Sequence, residues 1–186
     1  MSLQSNLLAA AIVGAAALAS GCSSMHHTSM GANAAPTAGR LAAADLSFVT
    51  TAAGNDLYEI QVSQLAMQRG ASAQVKNYAQ MLVNHHTMSS NELKTILAAK
   101  GVTPPATLPP DKQAKMAQLQ RLNGAEFDRE YIRIAGVQDH QTAVTLFEQA
   151  SRTLADADLR NFAAKTLPVL RQHLQSAQTI GGGLAG

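Results

Sequence analysis

One cysteine, no tryptophan and only 4% aromatic residues in 186 narrow what this chain can be. A lone cysteine excludes an internal disulfide, so the fold has to rest on its apolar core. Few aromatic side chains and no sustained two-residue alternation argue against a strand-rich core. Charged residues make up 14% and the net charge is +2, so neither a nucleic-acid stripe nor an acidic tail is written in the chain. No apolar run reaches the roughly 20 residues that a membrane-spanning helix needs. Ser89 and Ser90 lie one turn from His85 and His86, but nothing resembles a nucleophile elbow. No glycine-rich loop introduces a helix, and no residue is assigned a catalytic role; a binding or structural protein is the first reading, and a redox enzyme, which needs an open coordination site and a substrate pocket, the alternative.

What is present begins with the surroundings of that cysteine. The apolar run Leu7–Leu18 closes with Ala19-Ser20-Gly21-Cys22. Its length suits a signal-peptide core followed by a small-residue cleavage site. The ending resembles a bacterial lipobox, which implies a leader over 1–21 and a lipidated Cys22. Met1–Asn6 holds neither Lys nor Arg, where signal peptides usually carry one. Lipid chains would contribute about 0.8 kcal/mol per buried methylene. Ser23 follows the cysteine, which by resemblance to enterobacterial lipoproteins favours the outer membrane, periplasmic side. The membrane is then a partner through the lipid anchor, nucleic acid is not, and an envelope protein is a further expected partner.

Residues 22–44 read as a flexible tether rich in Ser, Ala, Gly and Thr. Met25-His26-His27-Thr28-Ser29-Met30 within it offers soft donors for weak copper binding, but its composition reads first as that of a solvated tether. A helical domain is expected over 45–180. Asp45 is placed as N-cap of a helix to Arg69 with Gly70 as its stop, and Val49, Ala53, Leu57, Ile60 and Met67 as its apolar stripe. Ser72 is placed as cap of a helix reaching Lys100, with Gly101 as stop and Val75, Ala79, Leu82, Ser89, Leu93 and Ile96 inward. Four prolines break Val102–Pro110, Asp111 caps a short helix to about Leu122, and Asn123-Gly124 ends it. A long helix follows over about 125–154, facing inward through Phe127, Tyr131, Ile134, Val137, Val144 and Phe147. Asp156 caps the last helix, which Pro168 should kink. Gly181–Gly183 is expected to end the ordered chain, leaving 181–186 a disordered tail. Two hairpins joined by a long proline-containing connection make an all-α, ferritin-like four-helix bundle. A plain up-down-up-down bundle is the alternative.

Each long helix then offers one polar residue near its middle: Glu59, His86, His140 and His173. Counting along the helices from the nearer turns puts them at about 16, 24, 22 and 27 Å. His85 is an alternative to His86, and Asp128 and Tyr131 share a face at the start of the long helix. One carboxylate and three imidazoles suit a transition metal such as Zn, Cu, Fe or Ni. The residues three before the histidines are Leu82, Val83, Val137 and Leu170, so the Glu-x-x-His pairs of di-iron bundles are absent. A buried hydrogen-bond layer that only fixes the register accounts for the same residues.

The stretches Asn55–Ile60, Val75–His86, Phe127–Ile132, His140 and Leu167–His173 together resemble the family called domain of unknown function 4142. The resemblance covers about 45–178 and implies a ferritin-like fold. It also implies that the recurring polar positions are Glu59, His86, His140 and His173. It implies no activity. Mass spectrometry of the mature protein is expected to find an acylated Cys22 as the first residue. A free Cys22 thiol in an uncleaved chain would refute the anchor.

Overall fold

A computed structural model describes residues 41–184. The leader, Cys22, the Met25–Met30 tract and nearly all of the tether lie outside the described residues. The order is α1 Ala43–Arg69, α2 Ala73–Ala98, α3 Pro110–Leu119, α4 Gly124–Tyr131, a π-helical segment Ile132–Asp139, α5 His140–Thr153 and α6 Ala157–Leu184. Among the described residues there is no strand, only an isolated backbone bridge between Gly70 and Gly124.

That bridge decides the topology. α1 runs toward Gly70 and α2 runs back, ending at Gly101, whose φ of 66° is a left-handed stop that suits glycine. The chain must then return to the Gly70 end before α4 begins. The connection Gly101–Asn123 therefore crosses the length of the bundle, carrying α3. At the other end the Asp45 carboxylate accepts the Ala155 amide, tying the start of α1 to the α5–α6 turn. α1 and α6 are thus parallel and antiparallel to the other pair, the ferritin-like arrangement rather than the plain alternating one.

Several local expectations need correction. Ala42, not Asp45, precedes α1, and Asp45 is buried because it serves the distant Ala155 amide. Ser72 makes no side-chain cap; Asp128, reaching over from α4, accepts the Ala71 and Ser72 amides instead. α3 starts at Pro110 behind Pro109, with Asp111 only in its first turn. The expected tail is helical through Leu184: no proline intervenes, and Ile180 and Leu184 pack on the core. α6 runs unbroken through Pro168, which lies on the exposed face where water can serve the freed carbonyl of Ala164. Asp156 does cap, accepting the Leu159 amide at 3.1 Å.

The buried face of α1 is rotated from the expected stripe. Leu57, Ile60 and Met67 are only half-buried, while Ala52, Asp56, Glu59, Ser63 and Ala66 face inward. Polar residues on the inner line hide it from a search for apolar periodicity. The apolar core is accordingly divided. One cluster holds Phe48, Leu93, Phe147 and Phe162, the other Val62, Leu82, Phe127 and Tyr131. On α2, the π-containing helix and α6, the buried histidine lies between the stretches that feed the two clusters. On α1, Asp56 does.

The two inter-helix aspartates hold the ends of this arrangement. Asp128→Ala is expected to cost about 2–3 kcal/mol, since hydrogen bonds to a charged group are worth roughly 1.5–3 kcal/mol. Urea unfolding measures it, and a loss no larger than that of an exposed aspartate would contradict the capping role.

Candidate metal centre

The π segment aims His140. Nine α-helical residues beyond the inward Tyr131, at about 100° each, a side chain would point roughly 180° away from it. π turns hold more residues, so the segment Ile132–Asp139 removes that offset and His140 returns to the interior. The expected neighbours Val137 and Val144 are only half-buried, so the inward direction comes from the π segment and not from them. Within it, the His140 ring takes the carbonyl of Ala135 at 2.8 Å.

His86, His140 and His173 offer nitrogens that all lie within 4.8 Å of one another, and all three side chains are buried. Two ligand bonds of roughly 2.0–2.1 Å span at most about 4.2 Å, so the rings would close in on one another to share an ion. They line a cavity of about 30 Å³, together with Asp56, Glu59, His85, Ser89, Lys112 and Asp139. That volume holds one or two water-sized bodies. Among the described residues, six buried polar atoms have no hydrogen-bond partner among protein groups, and five belong to residues of this cavity: Asp56 Oδ2, Glu59 Oε2, His86 Nε2, Ser89 Oγ and Asp139 Oδ2. Buried polar atoms left without partners are costly, and their convergence suits a bound ion or an ordered water.

The tautomers follow from the acceptors. The Ala135 carbonyl can only accept, so His140 Nδ1–H donates and its Nε2 carries a lone pair. His173 Nδ1 lies 3.2 Å from that Nε2 and must donate to it. His173 Nε2 is then an acceptor, served by His85 Nδ1–H at 2.7 Å. His86 Nδ1–H donates to Asp56 Oδ1 at 2.8 Å, which leaves Nε2 facing the cavity. A carboxylate behind an imidazole and a carbonyl behind another are the supports that metal-ligating histidines carry.

Electrostatics at the site follow burial. Burial, then the neighbouring His86, push His140 down to about 3. Burial and the three other histidines lower His173 as well. Burial opposes charge on His86 too, but the Asp56 hydrogen bond and charge outweigh it and raise His86. Burial raises Glu59 to about 8, with His86 partly opposing. Lys112, from the crossover helix, donates to Asp139 Oδ1 at 2.9 Å and lies 4.8 Å over the Tyr58 ring; Lys115 joins the same oxygen.

All four of the residues expected from mid-helix position line the cavity. Glu59 lines it without joining the histidine trio. His85 is the outer partner of His173. Asp128 and Tyr131 are elsewhere: Asp128 holds the Ala71–Ser72 turn, and the Tyr131 hydroxyl shares a 2.8 Å hydrogen bond with Ser63. Asp56, Lys112 and Asp139 were not expected. The signals for them were Asp56 one turn before Glu59 and Asp139 adjacent to His140; nothing in the sequence indicates Lys112.

A family model described as Domain of unknown function (DUF4142) matches residues 30–180. Among solved structures the chain is similar to the crystal structure of a DUF305 fragment from Deinococcus radiodurans. The TM-score is 0.68 at 15% identity, over 76% of this chain and 97% of that one. That likeness carries the fold alone. No curated protein matches the chain.

Stability of the metal-free chain should depend on pH in two opposed ways. His140 and His173 fold with lowered values, so their contribution is complete above about 6.5, the ordinary imidazole value. It is lost as pH falls from there toward 3, because the unfolded chain takes up protons that the fold excludes. Glu59 acts in the other sense: between 4.5 and about 8 the unfolded chain sheds a proton that the fold retains, so stability falls as pH rises. Glu59→Gln should therefore gain in melting temperature over the parent more at pH 8 than at pH 5. Equal differences at the two pH values would show that Glu59 folds ionised.

Proposed function

This chain belongs to the DUF4142 family of domains of unknown function, and from that premise we propose that it is a lipid-anchored envelope protein that holds one transition-metal ion inside its bundle. The observation that carries the metal reading is the state of His86. Its Nδ1 is fixed on Asp56 at 2.8 Å while its buried Nε2 faces the cavity without a partner, beside His140 and His173. Three imidazoles are suited to Zn, Cu, Fe or Ni. A cavity of about 30 Å³ has room for an ion and a water, and none for an organic substrate. Binding, storage or transfer of the ion fits this better than turnover.

The anchor rests on the lipobox-like ending at Cys22 and is independent of the histidines. No described helix is long and apolar enough to cross a membrane, so membrane attachment by this part of the chain is not what the reading requires. The continuous hydrogen-bond chain from His85 through His173 and His140 to Ala135 favours a second reading, a layer that only sets the register of the helices.

Metal analysis and calorimetric titration of protein purified without a histidine tag separate the two. The metal reading expects one ion per chain, abolished by His140→Ala, with Asp56→Asn weakening affinity about 10–100-fold as loss of a supporting carboxylate does. Saturation at 100 times Kd should add about 2.7 kcal/mol to stability. No bound ion, and a melting temperature that chelation leaves unchanged, would leave only the register layer.

A further inference from the structure

A surface pocket of about 170 Å³ lies against the buried cavity and shares with it His85, Ser89, Thr166 and Val169. Its other lining includes Met88. Met88 is 65% exposed, so its thioether is open to solvent. On α2 it stands three residues after His85, one turn along the same face. We propose that His85 and Met88 form a surface uptake site for a soft monovalent ion, Cu(I) in chemistry, and pass it to His173. The proposal rests on the metal-centre reading and adds a route and an ion class to it.

Access supports the route. His86, His140 and His173 are each 5% exposed or less, so an ion cannot meet them directly from solvent. His85 is half-buried and lines both spaces. Its Nδ1 is 2.7 Å from His173 Nε2 and the two rings are stacked with centroids 5.0 Å apart. Ser89 Oγ, buried without a partner, lines both spaces too.

Donor chemistry supports the ion class. The one carboxylate in the surface pocket, Glu92, has both oxygens on Lys165 at 2.9 and 3.0 Å. The charged oxygens are thus engaged; beside the neutral hydroxyls of Ser89 and Thr166, the thioether of Met88 and the outer nitrogen of His85 are the soft donors of the pocket. Thioether with imidazole selects Cu(I) over Zn(II) or Mg(II). Transfer is an exchange of neutral donors around an unchanged ion: the His85 Nδ1–H···His173 Nε2 hydrogen bond breaks, its proton stays on His85, and the freed His173 Nε2 lone pair takes the ion, so no electron or co-reactant is needed.

Ag(I), a monovalent ion of the same closed-shell kind, is the probe. Full-length protein with labelled methionine methyls is titrated while the histidine ring signals are followed by NMR; the Met88 resonance is the one missing from Met88→Leu. The expected result is that Met88 shifts before the His140 and His173 rings. Met88→Leu should slow silver uptake by the rings about tenfold, the order by which outer partners of a site count. Met88→Cys should restore it, and Zn(II) uptake should be equal in all three. Silver reaching the rings of Met88→Leu at the parent rate would overturn the uptake site. So would Zn(II) filling the rings while Ag(I) does not, although the metal centre would then stand. Rings that take up no ion of either kind would remove the centre and the route together.

Discussion

The molecule depends on one constraint: polar side chains from all four long helices are buried at mid-height, between two apolar clusters. A buried polar group without a partner costs roughly 1–3 kcal/mol, so such a layer is tolerable only if its members answer one another. Here they largely do. Asp56 holds His86, Lys112 and Lys115 hold Asp139, and His85, His173, His140 and Ala135 form one directed chain. Of the atoms left over among the described residues, five of six belong to residues that line a single small cavity. Those atoms are costly unless an ion or an ordered water answers them.

The rest of the fold serves the alignment of that layer. The π segment turns His140 inward without bending the apolar faces before and after it off the core. The crossover is more than a connection, because α3 delivers Lys112 into the interior. At the two ends, Asp128 and Asp45 bind the turn of the opposite hairpin, so the sliding of one hairpin against the other is resisted at both ends of the bundle. A slip of one turn would move each helix by about 5.4 Å and take the histidines out of reach of one another.

Most of the architecture was legible because it depends on local signals. Gly70, Gly101 and Asn123-Gly124 punctuate the helices where they were read to do so, and the four cavity residues follow from their position along each helix. What escaped depends on distance in sequence. Asp45 looks like an ordinary cap of its own helix and Asp128 like an acid near the start of its own, and only the folded chain shows that they serve residues 110 and 56 positions away. The inner line of α1 was misplaced because Asp56, Glu59 and Ser63 interrupt its apolar pattern. The π segment has no residue signature, and His140 was placed inward by neighbours that are themselves half-exposed.

On the proposed metal reading, Lys112 also bears on how many ions the bundle would hold. Bundles that bind two metals surround them with four carboxylates and two Glu-x-x-His pairs, enough negative charge for two divalent ions. Here the positions three before the histidines are apolar, and Glu59 is raised to about 8 by burial. Asp139 is occupied by Lys112 and Lys115, and the Lys112 nitrogen lies over the Tyr58 ring at the cavity's edge. A fixed cation therefore stands on the carboxylate that a second ion would need. It lowers the negative potential of the cavity for any further ion, since like charges repel strongly where the dielectric is low. The remaining donors are three imidazoles supported by one carboxylate and one carbonyl, a set for one ion of borderline or soft character.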